Sequence, residues 1–90
     1  MKNYIVEDKI TDLTNNTEKR YYYGKDGYIW EDAKTPDGYS SFYWADRKVR
    51  EEKTWLQRNY GNEFLESGRW LHTFTIIERE DNSIIKRTRI

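Results

Sequence analysis

The sequence predicts an α+β protein: a single antiparallel sheet in the chain order β-β-β-α-β-β, with one long helix packed on one face. Three stretches carry this prediction. Residues 19–30, KRYYYGKDGYIW, have the pattern of a β-hairpin, in which two aromatic runs flank a Gly-Lys-Asp-Gly turn. Residues 42–58 repeat apolar side chains at helical spacing, and residues 69–79 alternate side chains as a long strand does.

The first strand is predicted over Tyr4 to Leu13, where side chains alternate loosely and Asp8 occupies a position that should point inward. For that reason we expect the strand to be irregular near Asp8. Residues 14–18 form a predicted turn, since they include two asparagines, which accept left-handed backbone geometry. Together with the hairpin of residues 19–30, in which Trp30 is expected to be a core residue, the first three strands should form an antiparallel meander.

The helix is predicted over Phe42 to Arg58, after a Thr-Pro-Asp-Gly turn at residues 35–38 and the possible N-cap hydroxyls of residues 40 and 41. The side chains that should face the sheet lie within about 60° of one another at 100° per residue. These are Phe42, Ala45, Val49 and Leu56. Glu52 interrupts the apolar stripe and must therefore either extend its carboxylate to solvent or find a partner, and residues 59–61 are expected to end the helix.

The last part of the chain should return to the sheet. Residues 62–68 are predicted to be a polar loop, in which Phe64 and Leu65 form at most one helical turn against the core edge. A long strand then runs from Arg69 to Arg79. One of its faces should carry Trp70, His72, Phe74 and Ile76. After a turn at residues 81–83, the final strand is expected over residues 84–90.

Length and composition indicate one folded domain, residues 1–90. Hydrophobic and charged residues each make up 36% of the chain, but the 17% aromatic content favours a core, because aromatic side chains bury a large area. The formal net charge is zero, which argues against a nonspecific polyanion binder. Without cysteine, disulfides and thiolate zinc sites are excluded. No apolar run resembles a signal peptide or a membrane span, so we expect a cytoplasmic protein without membrane association.

The spacing of turn and aromatic residues resembles that of a loose group of small phage and prophage proteins. The shared pattern is YYYG, then a glycine, a tryptophan, an alanine and a Ser-Phe helix start, followed by an aromatic and branched strand near the end. Here these positions are Tyr21–Gly24, Gly27, Trp30, Ala33 and Ser41–Phe42. The resemblance implies the fold described above and a phage-type accessory protein acting in a bacterial host cell. It transfers no catalytic residue.

The sequence offers little for catalysis, so we predict a non-enzymatic protein without cofactor or metal. The one histidine, His72, lies in the middle of a predicted strand, and we interpret it as a half-buried sheet residue rather than a general base. A metal site needs several converging ligands, which one histidine and scattered carboxylates do not supply. No phosphate-binding loop, dinucleotide fingerprint or nucleophile elbow is present.

A second face of the helix, about 90° from the apolar stripe, indicates binding to a protein partner. Tryptophan and arginine are enriched at binding hot spots, and this face has both. The candidate residues are Trp44, Arg47, Lys48, Glu51, Trp55 and Arg58. The alternatives are that the two indoles lie at the margin of a wide core stripe or that they form a homodimer contact. We expect the partner to be a bacterial host protein, with inhibition of a defence or replication component as the consequence.

The second hypothesis is a single-stranded nucleic-acid-binding module that uses an aromatic and basic sheet face. Its candidate residues are Lys19, Arg20, Tyr22, Lys25, Lys86, Arg87 and Arg89. The alternative interpretation is purely structural, with one tyrosine face packed under the helix and the other shielding the sheet. Zero net charge weakens the electrostatic attraction on which most such proteins depend.

Overall fold

The computed structural model describes residues 3–66 and 70–89, with side chains described for all of these except residues 60–66. The strands are Tyr4–Asp12 (β1), Thr17–Tyr23 (β2), Ile29–Trp30 (β3), Trp70–Glu78 (β4) and Ser83–Arg89 (β5), and the helix is Phe42–Glu66 (α1). All five strands pair antiparallel in one sheet, in the order β3-β2-β1-β4-β5. The predicted α+β fold, the chain order and the three-strand meander are confirmed.

The central strand, β1, is regular over its whole length. Asp8 pairs with Tyr21 of β2 on one side and with Phe74 of β4 on the other, without a break in either register. The irregularity expected at Asp8 was therefore wrong, because the inward carboxylate finds a partner in His72 and needs no bulge to reach water. The register shift of this sheet lies instead between β4 and β5, at Ile76/Ile77.

The core lies between α1 and the two central strands. Its buried members are Val6, Tyr23, Ala45, Val49, Leu56, Phe74 and Ile76. Because side chains alternate along a strand, the helix-facing positions of β4 also include Trp70 and His72, as predicted. Phe42 was expected in the helical stripe but is exposed, since Tyr39, just before the helix, packs against that end of the core.

The helix is longer than predicted. It continues through the Asn59-Tyr60-Gly61 segment that was expected to end it, and it includes much of the predicted loop. The side-chain amide of Asn59 donates to the Trp55 carbonyl oxygen at 2.8 Å, so this residue bonds back onto its own helix rather than capping it. The glutamate and leucine residues that follow are good helix formers, which offsets the cost of about 1 kcal/mol for an internal glycine. The predicted core contact of Phe64 and Leu65, the loop positions 67 and 68, and the strand ends Arg69 and Ile90 lie outside the described structure.

Residues 31–38 cross one end of the sheet and are fixed there by hydrogen bonds. The Arg79 guanidinium donates to the carbonyl oxygens of Ala33 at 2.8 Å and Lys34 at 2.7 Å. The backbone of Asp37 accepts a 2.7 Å bond from the Lys25 amide. Gly38 packs so closely on Asn3 that an added Cβ would collide with that side chain. The predicted Thr-Pro-Asp-Gly segment is thus an ordered crossing that leads the chain to the helix.

Trp30 does not belong to the core. It pairs with Tyr22, and this register places both side chains on the sheet face that points away from α1. There the Trp30 indole donates to the Asp26 carboxylate at 3.1 Å. The expectation was wrong because β3 is an edge strand of two residues, and its register depends on the connection over residues 24–28. That connection uses positive φ at Gly27, where φ is 78°.

Alanine substitutions should distinguish the two aromatic positions. Phe74→Ala empties a fully buried site and should lower the free energy of unfolding by about 3–5 kcal/mol. Trp30→Ala removes a half-buried indole on the other face and should cost roughly 1 kcal/mol. Urea unfolding followed by circular dichroism measures both values. Similar losses for the two variants would contradict this assignment of the faces.

Candidate functional site

The first candidate surface is the side of α1 that points away from the sheet, which we call the outer face. Ala45, Val49 and Leu56 turn toward the sheet, so the helical period carries Trp44 and Trp55 outward. The two tryptophans are separated by about three turns, or roughly 16 Å along the helix. Trp44 is 48% exposed and Trp55 is 52% exposed, and both lie outside the buried core cluster.

Trp44 is held in place by its neighbours on the outer face. The Tyr43 ring meets it edge to face, with the ring centroids 5.1 Å apart and an angle of 80° between the planes. The Arg47 guanidinium lies 5.4 Å from the centre of the Trp44 ring and also bonds Glu51, with 3.2 Å between Nε and Oε1. Because these contacts restrict the indole before any partner arrives, less side-chain entropy remains to be lost on binding.

A shallow groove of about 660 Å³ runs along the outer face. Its lining residues are Tyr43, Arg47, Arg50, Glu51, Thr54, Trp55, Arg58 and Asn59. Its lining side chains include three arginines and one glutamate, a formal excess of two positive charges, and within this set Arg47 is paired with Glu51 while Arg50 is paired with the neighbouring Asp46. The groove thus combines aromatic surface with guanidinium groups.

Four of the six predicted partner-binding residues line this groove, and the other two, Trp44 and Lys48, line a second depression that shares Arg47 and Glu51 with it. Lys48 is the less exposed of these two. Its side chain is 19% exposed and bonds Glu52 at 2.8 Å between Nζ and Oε1. The ammonium also lies 4.9 Å from the centre of the Tyr23 ring. Lys48 is one helical turn from Glu52 and adjoins Val49, so it turns toward the sheet and supplies Glu52 with a partner.

The second candidate surface is the sheet face away from α1, which we call the open face. Cross-strand pairing places Arg20, Lys9, Thr73 and Arg89 in one row, and Tyr22, Glu7, Thr75 and Arg87 in the next. A depression of about 500 Å³ lies between β1, β4 and β5. Its lining residues are Lys9, Thr11, Leu71, Thr73, Arg87 and Arg89. The open face is therefore basic and carries an aromatic ring.

Only four of the seven residues predicted to bind nucleic acid lie on the open face. The residues that share the open face are Arg20, Tyr22, Arg87 and Arg89. Lys19 and Lys86 lie on the helix side of the sheet, where Lys86 bonds Asp46 at 2.8 Å, and Lys25 lies in the 24–28 connection. Sequence analysis missed Lys9, whose place in the cationic row depends on a register that one sequence does not reveal.

Two carboxylates on the open face are engaged with neighbouring side chains. The Tyr22 hydroxyl donates to Glu7 at 3.0 Å, and Glu18 bonds the Arg20 guanidinium at 2.9 Å. Burial raises the pKa of Tyr22 above its ordinary value, and the hydrogen bond to Glu7 raises it further. The Tyr22 hydroxyl thus stays protonated and keeps its position beside the basic row.

The third candidate surface is a pocket of about 680 Å³ between the sheet and α1, which we call the inner pocket. At its base Asp8 is 5% exposed and His72 is 8% exposed. Nδ1 of His72 lies 3.1 Å from Oδ1 of Asp8. The sequence predicted an inward position for both residues but not the contact between them. They are diagonal neighbours on β1 and β4 and become adjacent only in this register.

Aromatic side chains surround the buried pair in the inner pocket. These are Tyr21, Tyr23, Trp55 and Trp70. Burial raises the pKa of Tyr23 well above its ordinary value, and the charges of Glu52 and Asp8 raise it further. The Tyr23 hydroxyl therefore stays neutral, and the described lining residues include no serine, threonine or cysteine nucleophile.

Among the side chains that the structure describes, those of residues 3–59 and 70–89, no group of three or more acidic or histidine side chains is placed to hold a metal ion. In the same part of the chain, no helix has the length and apolar character needed to cross a membrane. No protein-family model, curated protein or solved structure matches this sequence.

Proposed function

We propose that this chain is a non-enzymatic binding protein whose outer face on α1 holds an acidic surface of a protein partner. The observation that carries the proposal is the pair of half-exposed tryptophans on one side of the helix, with three arginines in the groove beside them. Tryptophan and arginine contribute much of the binding free energy of protein interfaces. Surface aromatic residues contribute most when a partner excludes water from them.

The charge of the groove supports a partner other than a second copy of the chain. In a two-fold symmetric contact the same patch meets itself, so Arg47, Arg50 and Arg58 of both copies would be brought together. Like charges in a desolvated interface cost several kcal/mol. An acidic surface on a different protein meets the same arginines favourably, and its apolar pockets can take the Trp44 indole.

The resemblance to small phage and prophage proteins supports a bacterial host protein as this partner. On this proposal the chain is a phage-type accessory protein that acts in the host cytoplasm. Covering an acidic functional surface of a host protein would inhibit it, and a defence or replication component fits that role. The inner pocket and the open face are not needed for this activity.

Trp44→Ala separates binding from stability. Because the indole is half-exposed and outside the core, the free energy of unfolding should change by no more than ~0.5 kcal/mol. Affinity for the partner should fall by about 2 kcal/mol, or roughly 30-fold. The measurement is capture from nuclease-treated bacterial lysate with the tagged wild-type chain, followed by titration of the captured protein against each variant.

A control is Tyr28→Ala, which removes a more exposed aromatic ring, 69% against 48% for Trp44, from the 24–28 connection rather than from the helix. This variant should bind as the wild type does, whereas Arg58→Glu should weaken binding. Sedimentation velocity tests the homodimer alternative, since a wild-type dimer that Trp44→Ala dissociates would replace the proposed partner by a second copy. Capture that survives both Trp44→Ala and Trp55→Ala would contradict the proposal.

A second candidate function, single-stranded nucleic-acid binding, is supported by the row of cations across the open face. Lys9 lies between Arg20 and the β4 residue Thr73, and Arg89 follows at the far edge, so the row crosses four neighbouring strands. Strands are about 4.8 Å apart, so the cations extend over roughly 14 Å of flat surface. Tyr22 and Trp30 on the same face could stack bases beside this row.

If the open face binds single strands, labelled oligonucleotides should bind with an affinity that falls steeply with salt. Lys9→Ala and Arg89→Ala should each reduce the salt slope by about 1, because each removes one phosphate contact. Lys53→Ala, which removes an exposed lysine from α1, serves as the control and should leave the slope unchanged. Fluorescence anisotropy at several salt concentrations measures all four proteins, and no binding at low salt would exclude this function.

A further inference from the structure

An ammonium group is held beside the inner pocket by two of the residues that line it. Lys48 comes from α1 and places its Nζ 4.9 Å from the centre of the Tyr23 ring, while Glu52 accepts it at 2.8 Å. An aromatic face combined with a carboxylate is the arrangement by which proteins recognise organic cations. Tyr23 and Glu52 also line the inner pocket, so the same chemistry extends into it.

The base of the pocket carries further negative charge. Asp8 is buried, and within the described chain its hydrogen-bond partner is His72. Nδ1 of His72 lies 3.1 Å from Oδ1 of Asp8, so the imidazole engages one of the two carboxylate oxygens. Lys48 pairs with Glu52, whereas no lysine or arginine among the residues with described side chains forms an ion pair with Asp8. Burying a charge costs free energy unless the charge is paired, so the Asp8 carboxylate should attract a cation into the pocket.

The walls favour an organic cation over a bare metal ion. Four aromatic side chains, Tyr21, Tyr23, Trp55 and Trp70, line the pocket. Aromatic rings attract cations through the negative face of their π system, and the attraction is strongest where water is excluded. The volume of about 680 Å³ is within the range of small-molecule sites. A weakly hydrated, carbon-bearing cation matches these walls, whereas a metal ion needs several oxygen or nitrogen ligands.

We propose that the inner pocket binds a small organic cation, a free amine or quaternary ammonium, with its charge directed to the Asp8 carboxylate and its carbon atoms against the aromatic walls. The ligand site is separate from the outer-face groove, although Trp55 lines both. A failure to detect protein binding at the outer face would therefore not contradict the cation site. A failure to detect cation binding would likewise not contradict protein binding at the outer face.

The four indole N–H signals of the ¹⁵N-labelled protein report where a cation binds. Choline is the probe, and 3,3-dimethylbutan-1-ol, which has the same shape but no charge, is its matched control. Choline added to tens of millimolar should shift the Trp55 and Trp70 signals saturably and leave those of Trp30 and Trp44 in place. The neutral alcohol should bind at least about tenfold more weakly, because it lacks the charge that the carboxylate and the rings attract.

Two variants test the assignment of the site. Asp8→Asn removes the charge but keeps an oxygen that can accept from His72, and it should weaken choline binding by about tenfold. Tyr21→Leu removes one aromatic wall from a half-buried position and should weaken binding without unfolding the chain. The control is Asp32→Asn, which removes an exposed carboxylate from the 31–38 crossing and should bind as the wild type does.

Nα-acetyl-lysine methylamide, tested in parallel, distinguishes a free ligand from the lysine side chain of a protein. Tighter binding of this probe than of choline would overturn the assignment to a free small molecule. Equal shifts from choline and the neutral alcohol would overturn the role of charge. Absence of any saturable shift at Trp55 and Trp70, with the wild-type chain folded, would overturn the site itself.

Discussion

One helix has to cover a sheet of five strands, and that mismatch in width governs the rest of the structure. A helix with its side chains is about 10–12 Å across. Five strands at about 4.8 Å place the two edge strands roughly 19 Å apart. α1 therefore covers only the middle of one face, where Val6, Phe74 and Ile76 meet Ala45 and Val49. The buried core cluster is concentrated in this seam between α1, β1 and β4, while Ile5 and Pro36 are buried outside it.

The surfaces left outside the seam are the ones with binding chemistry. Beyond the edge of the helix contact, the sheet and α1 enclose the inner pocket, with Asp8 and His72 at its base. The sheet face away from α1 carries the cationic row that includes Lys9 and Arg89. The side of α1 that the sheet does not use carries Trp44 and the arginines. A chain this small thus presents three chemically different surfaces, because its core uses only a fraction of its aromatic residues.

The spacing of apolar residues was sufficient to predict which side of a helix or strand faces the core, because this depends on local sequence. The alternation from Trp70 to Ile77 fixed the faces of β4, and the spacing of Ala45, Val49 and Leu56 fixed the inner side of α1. Features that depend on register could not be predicted in the same way. The contact between Asp8 and His72 exists only because β1 and β4 pair in one particular alignment. Trp30 likewise was assigned to the wrong face because a two-residue edge strand has too little pattern to fix its own register.

Two further differences between prediction and structure came from side chains that bond to nearby groups on the helix. Lys48 has the spacing of an exposed residue, but Glu52 and the Tyr23 ring draw it inward, and a single sequence does not show which of several nearby charges an interior glutamate will choose. The helix end was missed because Asn59 bonds the carbonyl oxygen of Trp55 within the helix instead of stopping it. In both cases the helix itself was predicted correctly. The ion pair with Glu52 accounts for the direction of Lys48, and the hydrogen bond of Asn59 accounts for the missed helix end.

If stability is concentrated in the seam of α1, β1 and β4, native-state hydrogen exchange should reveal it directly. The amides at the centre of β1 and β4 should exchange only through global unfolding, with an opening free energy equal to that from urea denaturation. Amides of the edge strands β3 and β5 should exchange through smaller, local openings that depend little on urea. Amides of β3 or β5 as strongly protected as those of Val6 and Phe74 would contradict the seam, because the whole sheet would then unfold as one unit.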